Sequence, residues 1–139
     1  MDKTNIRVSY FRLLRAYGLD PEEVIVNAGS AMVLLGLRER TSDVDATTAE
    51  DIWFRVQQAE PALHVRVIPK GVCSDEYTHL IECRGNVDLH FYQDGKRPET
   101  IMVDGVCVEH PRVILERKRF SNRDKDQDDI VKLEAWLQR

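Results

Sequence analysis

Hydrophobic and polar positions in the first third of the chain predict a helix, a strand and a second helix. Residues 7–18 place Val8, Phe11 and Leu14, with Leu13 as a further candidate, at helical spacing, and Gly18 suits the left-handed residue that ends a helix. After the Asp20-Pro21 break, the β-branched run of residues 22–28 predicts a strand. Residues 31–37 then predict a short buried helix with Ser30 as its N-cap.

The pattern next predicts a strand over residues 41–47 and an amphipathic helix over 49–59, which ends before Pro61. The apolar side of this helix is predicted to carry Ile52, Phe54 or Arg55, Val56 and Ala59. Residues 63–69, 78–84, 86–92 and the pair 100–103 and 106–109 alternate with period two and are separated by turn residues such as Arg84-Gly85-Asn86, which predicts further strands.

The C-terminal pattern returns to helical spacing. Pro111 suits the first turn of a helix over residues 111–120, and residues 124–138 place Ile130, Leu133 and Leu137 on one side of another. The sequence therefore predicts one α/β domain over residues 1–139. Its mixed, mostly antiparallel sheet would have about five or six strands, with helices packed on one side.

Composition and charge narrow the class of protein. The chain has 139 residues, 20 Lys and Arg against 24 Asp and Glu, and a formal net charge of −4. This balance argues against non-specific binding to nucleic acid or to an anionic membrane as the main role, because both need a basic field. Apolar runs such as residues 31–35 are far shorter than a membrane span, and the N-terminus shows no apolar signal region, so a cytoplasmic protein is expected.

The three cysteines, Cys73, Cys83 and Cys107, are 10 and 24 residues apart. Their odd number and spacing fit neither a disulfide framework nor a zinc knuckle. We expect them to be reduced, small apolar residues.

Candidate chemistry lies in the strand over residues 41–47. Asp43 and Asp45 should project from one face of this strand while Val44 enters the core. In residues 86–92 the same alternation sends Asp88, His90 and Tyr92 to one face, so Asp88 joins the other two carboxylates if the strands are neighbours. Three carboxylates close together repel one another, which favours a divalent cation such as Mg²⁺.

A phosphate site is predicted beside these carboxylates. Gly29 at a strand-to-helix turn permits close approach of backbone to a phosphate, and the Ser30 hydroxyl adds a donor. A metal cluster together with a phosphate site suggests phosphoryl or nucleotidyl transfer.

These residues resemble the nucleotidyltransferase superfamily with the polymerase-beta-like fold. The matching pattern is Gly29-Ser30, then Asp43-Val44-Asp45 after twelve residues, and Asp88 on a later strand. The segment Arg40-Thr41-Ser42-Asp43-Val44-Asp45 is most similar to the AbiEii-like toxin group of minimal nucleotidyltransferases, and residues 118–129 are similar to that group's phosphate-facing helix. One departure is Ala28-Gly29 in place of the usual Gly-Gly pair.

The resemblance implies transfer of a nucleoside monophosphate from an NTP, such as ATP, to an RNA end, a protein or a small molecule. Asp43 and Asp45 would bridge two Mg²⁺ ions, for which Mn²⁺ can substitute, and Asp88 would hold the second ion and help deprotonate the acceptor. The residues implied to contact the nucleotide are Gly29, Ser30, Arg40, Lys118 and Lys125.

Other interpretations remain open from the sequence. The chain could be a toxin-antitoxin component that acts by binding a partner protein, or an inactive relative, and a partner or a homodimer could complete its site. Lys118, Lys125 and Arg40 could belong to solvated surfaces, and a lone strand histidine such as His90 is more often structural than functional. Ser30, His90 and an acidic residue do not resemble a nucleophile elbow.

Overall fold

A seven-stranded sheet organises the molecule, as seen in a computed structural model that describes residues 1–67, 79–83 and 86–139. The strands are listed in chain order: β1 (Val24–Asn27), β2 (Val44–Thr48), β3 (His64–Val67), β4 (His79–Cys83), β5 (Val87–Phe91), β6 (Thr100–Val103) and β7 (Val106–Glu109). Their order across the sheet is β3-β4-β5-β2-β1-β7-β6. The helices are α1 (Lys3–Tyr17), α2 (Ala28–Leu34), α3 (Glu50–Ala59), α4 (Pro111–Ser121) and α5 (Gln127–Leu137).

Antiparallel pairs predominate in the sheet, as predicted. The two parallel pairs are β1 with β7 and β2 with β5. The sheet has more strands than the five or six expected, because residues 100–103 and 106–109 form two strands of one hairpin. Several predicted positions lie outside the described residues. They are the end of one strand at residues 68–69, both ends of another at residues 78 and 84, the turn residues 84–85, and Cys73.

The two faces of the sheet differ in polarity because side chains alternate along each strand. One face carries apolar side chains, among them Val26, Val44, Ala46 and Leu89, and α1, α2 and α3 contact strands that contribute to it. The other face carries Asn27, Asp45, Thr47, Asp88 and His90, as the strand register shows. Helices α1, α2 and α3 therefore cover the apolar face, and buried residues of α4 and α5, among them Ile114 and Leu133, also belong to the hydrophobic core.

Helix α1 begins four residues earlier than predicted and ends, as expected, at Gly18, whose φ is 64°. Its buried side is formed by Ile6, Tyr10, Leu13 and Leu14, whereas the predicted core residues Val8 and Phe11 are exposed. Tyr10 enters the core because its hydroxyl donates to the carbonyl oxygens of residues 21 and 24, at 2.7 and 2.8 Å. A tyrosine with satisfied hydrogen bonds thus displaced the expected apolar stripe.

Helix α2 differs from its prediction at its start. It begins at Ala28, so Asn27 and not Ser30 is the N-cap position, and both Gly29 and Ser30 lie in its first turn. Ala28 has a φ of 54°, a left-handed conformation that is unusual for a residue with a Cβ. The helix begins about one turn earlier than predicted, and the Ser30 hydroxyl ties this first turn to β1 and β2 by hydrogen bonds to Asn27 and Asp45.

In α3 the buried residues are Ile52, Trp53 and Val56, whereas Phe54 and Arg55 are exposed, which corrects the predicted face. The Trp53 indole N–H donates to the Leu89 carbonyl oxygen at 2.8 Å and its ring lies edge-on to Phe91. This hydrogen bond lets the larger ring be buried against the sheet.

The C-terminal helices follow the prediction, with one change of boundary. Pro111 occupies the first turn of α4, and Ile130 and Leu133 of α5 are buried. Residues 124–126 form a 3₁₀ turn and not part of α5. Cys83 and Cys107 are buried and free of disulfides, as expected. In the described part of the chain, no helix has both the length and the apolar character to cross a membrane.

Candidate metal and nucleotide site

Three carboxylates converge on the polar face of the sheet. Asp45 on β2 lies opposite Asp88 on β5 in the parallel register, and Asp43 precedes Asp45 by two residues, on the same side. One carboxylate oxygen from each residue lies within 4.8 Å of the others. The structure thus brings together the three aspartates that the sequence singled out, because β2 and β5 are neighbours.

Burial and mutual repulsion both resist ionisation of these groups. Burial, followed by repulsion from the nearby Asp43 and Asp88 carboxylates, raises the pKa of Asp45 to about 7. Burial likewise raises the pKa of Asp88 to about 6, with a hydrogen bond and repulsion from Asp43 as the next causes. A divalent cation would relieve this repulsion, and carboxylate oxygens are the ligands that Mg²⁺ and Mn²⁺ prefer. The donor set therefore fits the expected metal.

Basic side chains face the carboxylates across a cavity of about 330 Å³. Four cations are in its wall: Arg66, Arg117, Lys118 and Arg123. The complete lining also includes Asn27, Ala28, Asp43, Asp45, Leu80, Asp88, His90, Ile114 and Ser121. The cavity thus combines carboxylates of the kind that can hold a metal with cations of the kind that can bind phosphate.

Ion pairs hold the α4 cations in place. The Arg117 guanidinium donates to both oxygens of Glu109, at 2.8 and 2.7 Å, and Glu109 is completely buried at the end of β7. Lys118 Nζ lies 3.1 Å from Asp129 Oδ2 and 3.5 Å from Asp126 Oδ1. These carboxylates lie outside the cavity lining, so they anchor the cations without competing for its interior.

Two further cations are anchored in the same manner. Arg66 on β3 pairs with Glu82 at 3.2 Å, and Arg123 pairs with Asp126 at 2.9 Å. Arg66 and Arg117 were not predicted to belong to the site, whereas Arg123 lies in the segment 118–129 that resembles the phosphate-facing helix. Arg66 reaches the cavity through the sheet order, because β3 pairs with β4, which in turn pairs with β5.

Gly29 and Ser30 lie beside the cavity and outside its lining. Ser30 is completely buried, and its hydroxyl donates to the Asn27 carbonyl oxygen at 2.8 Å and accepts the Asp45 N–H at 3.0 Å. The Ser30 side chain therefore fixes the backbone of Asp45. A Cβ built on Gly29 would meet the Arg38 guanidinium.

Of the other three residues predicted to contact the nucleotide, the structure places one in the cavity wall. Lys118 is in the cavity wall, whereas Arg40 and Lys125 are exposed and outside the lining. His90 is in the wall and buried, and this burial, followed by the charges of Arg66 and Arg117, lowers its pKa to about 4. The imidazole is therefore neutral at physiological pH.

The fold is found among solved structures. No family model and no curated protein matches the chain. The crystal structure of ANT(2'')-Ia in complex with adenylyl-2''-tobramycin is 13% identical, with a TM-score of 0.59, and the match covers 96% of this chain and 90% of that one. The solution structure of the antibiotic-resistance factor ANT(2'')-Ia is also 13% identical, with a TM-score of 0.58 and coverage of 96% and 83%.

A third structure, that of JHP933 from Helicobacter pylori, is 17% identical at a TM-score of 0.48, and the chain spans 63% of its length. The comparisons with ANT(2'')-Ia show that this chain shares the α/β fold of that protein. The narrower similarity to the AbiEii-like group stays a prediction from the sequence.

Proposed function

We propose that this protein is a Mg²⁺-dependent nucleotidyltransferase, which moves a nucleoside monophosphate from an NTP to an acceptor. The observation that carries the proposal is the convergence of Asp43, Asp45 and Asp88 within 4.8 Å, facing four cations across one cavity. The fold adds support, because ANT(2'')-Ia, which shares it, was solved in complex with adenylyl-2''-tobramycin. That ligand belongs to ANT(2'')-Ia.

The carboxylates of Asp43, Asp45 and Asp88 would hold the metal. When bound, it would neutralise the triphosphate and stabilise charge that develops during transfer. The raised pKa values of Asp45 and Asp88 support this role, because burial and repulsion between the carboxylates outweigh the opposing charges of Arg117 and Arg66. We propose two Mg²⁺ ions, with Mn²⁺ as a substitute.

The cations of α4 would bind and orient the phosphates. Lys118 is held by two buried carboxylates, so it is positioned before the substrate arrives. Gly29 follows Ala28, which is in the wall of the same cavity. Arg40 and Lys125, which are exposed, would contact the nucleotide only from outside the cavity lining. The buried Ser30 hydroxyl would act through the backbone of Asp45.

Transfer would form a bond from an acceptor oxygen to the α-phosphorus and break the bond between that phosphorus and the β-phosphate oxygen, which releases pyrophosphate. Asp88 would accept the proton of the acceptor hydroxyl.

The test is incubation of the purified protein with each α-³²P-labelled NTP, Mg²⁺ and separate RNA, protein and small-molecule fractions of a cell extract. Labelling of one fraction that requires Mg²⁺ and is absent with the Asp43→Asn/Asp45→Asn variant supports the proposal and identifies the acceptor class. Equal labelling by this variant and the wild type, or no labelling in any fraction, counts against it. A toxin-antitoxin role stays a prediction from the sequence resemblance.

A further inference from the structure

A groove on the solvent side of α1 combines arginines with exposed apolar side chains. It has a volume of about 390 Å³ and is lined by Thr4, Arg7, Val8, Phe11, Arg12 and Arg15. Val8 is 50% exposed and Phe11 is 36% exposed. An α-helix turns once in about 3.6 residues, so these two side chains lie between Arg7 and Arg12. The groove thus has an apolar floor with a cation on each side and Arg15 one turn further along.

The hairpin of β6 and β7 holds one side of this groove in place. The Arg7 guanidinium donates to the Asp104 carbonyl oxygen at 3.3 Å. A Cβ built on Gly105 would lie 3.5 Å from Phe11 Cζ, so the Phe11 ring packs beside the hairpin turn. The same ring lies edge-on to the buried Tyr10, with 5.3 Å between the ring centroids. The floor is therefore positioned before a partner arrives, which lowers the entropic cost of binding.

The arginines of the groove differ from those on another helix surface. Arg112 and Arg119, which are exposed on α4, each pair with a glutamate, at 2.9 and 3.3 Å. Among the residues that the structure describes, Arg7, Arg12 and Arg15 form no ion pair with a carboxylate. Three positive charges are therefore gathered without carboxylates on one helix of a chain whose formal net charge is −4.

The groove and the candidate site lie on opposite sides of the sheet. Helix α1 contacts α2, β2 and β5 on the apolar face, whereas Asp45 and Asp88 project from the polar face of the same two strands. No residue of the groove lines the cavity. A molecule bound in the groove would therefore leave the cavity open.

We propose that this groove is a docking surface for an acidic, amphipathic segment of a partner protein. Apolar side chains of the segment would cover Val8 and Phe11, and its carboxylates would pair with Arg12 and Arg15. The apolar floor favours a protein segment over a nucleic acid, because a nucleic acid needs a continuous basic track along its phosphates. The proposal does not rest on the proposed reaction.

The experiment measures the fluorescence anisotropy of a labelled synthetic peptide as the full chain is added. The peptide has about 15 residues, with leucines at helical positions i, i+3, i+4 and i+7 and glutamates between them. We expect saturable binding that weakens as the salt concentration rises, because the ion pairs are exposed. A second peptide with the same leucines and with lysines in place of the glutamates should bind at least about 10-fold more weakly.

Substitutions separate the charges of the groove from its floor. Arg12→Gln/Arg15→Gln should weaken binding of the acidic peptide about 10-fold, the effect of two surface ion pairs. Val8→Thr keeps the shape of the side chain, makes the floor more polar and should weaken binding about 3-fold. Arg112→Gln/Arg119→Gln is the charge-matched control, because these arginines are 58% and 56% exposed on α4, and should leave the affinity within about twofold.

Several results would overturn the proposal. They are no binding of the acidic peptide, equal binding of the lysine peptide, or wild-type affinity in Arg12→Gln/Arg15→Gln. Tighter, Arg12- and Arg15-dependent binding of an oligouridylate would assign the groove to nucleic acid instead. Self-association in sedimentation velocity that is lost in the same double variant would assign it to a second copy of this chain. If that variant fails to fold by circular dichroism, Val8→Thr and the lysine peptide still decide the question.

Discussion

Asp45→Asn should stabilise the metal-free protein, although it removes a central residue of the proposed site. Burial and the neighbouring carboxylates raise the pKa of Asp45 from 3.8 to about 7, so keeping this group ionised in the folded state costs roughly 4 kcal/mol. Asparagine has nearly the same shape and no charge. Allowing for burial of its amide, we expect a gain of about 2 kcal/mol at pH 8.

The stability gained by Asp45→Asn should increase as the pH rises. The folded-state pKa of Asp45 is higher than the unfolded value, so between pH 4 and 7 the native state binds more protons and the wild type loses stability as the pH rises. The variant lacks this loss, so its stability relative to the wild type should rise from pH 4 to pH 7 and be highest above pH 7, whereas at pH 4 the buried amide leaves it no more stable than the wild type. His90 has the opposite effect on stability, because its pKa is lowered to about 4 and the folded protein therefore loses stability as the pH falls from 6.5 to 4. This residue is present in both proteins, so its effect cancels in the comparison.

Differential scanning fluorimetry in EDTA from pH 4 to 8 measures the effect, with roughly 3 °C expected per kcal/mol for a domain of this size. Asp128→Asn is the control, since Asp128 is 77% exposed and pairs only with Lys132 among the described residues. Mg²⁺ should reverse the order at a hundred times the dissociation constant, where it stabilises the wild type by about 2.7 kcal/mol. A variant that is less stable than the wild type at pH 8 in EDTA would refute the electrostatic reasoning.

Three further expectations can be tested separately. Asp43→Asn/Asp45→Asn should lower nucleotidyl transfer by several orders of magnitude while circular dichroism shows a native fold, and transfer at the wild-type rate would exclude a catalytic role. Ala28→Gly should raise the free energy of unfolding by about 1 kcal/mol in urea titrations, because Ala28 holds a φ of 54°; a loss of stability would show that the turn is unstrained. Glu109→Gln should destabilise the fold by roughly 3 kcal/mol, because it leaves the largely buried Arg117 charge without its carboxylate, and a change below about 1 kcal/mol would contradict this.

Local patterns in the sequence determined the elements and the candidate carboxylates. Alternation along residues 41–47 and 86–92 placed Asp43, Asp45 and Asp88 on polar faces, and Gly18 and Pro111 marked a helix end and a helix start. These predictions succeeded because they depend on backbone geometry that spans only a few residues. The mostly antiparallel sheet followed from the same alternation.

Residues that depend on partners far along the chain could not be found in this way. Tyr10 and Trp53 replaced the expected apolar positions because carbonyl groups of other segments accept their hydrogen bonds. Arg66 and Arg117 reached the cavity only through the strand order and the buried Glu109.

The sequence by itself determined which residue types could hold a metal and a phosphate, and tertiary structure decided which of them meet. Parallel pairing of β2 with β5 brought Asp88 opposite Asp45, and Asp129, 91 residues from Arg38, placed that arginine above Gly29. The physical reason is that alternation fixes the face on which a side chain lies, whereas its neighbours on that face depend on strand order and on long-range ion pairs.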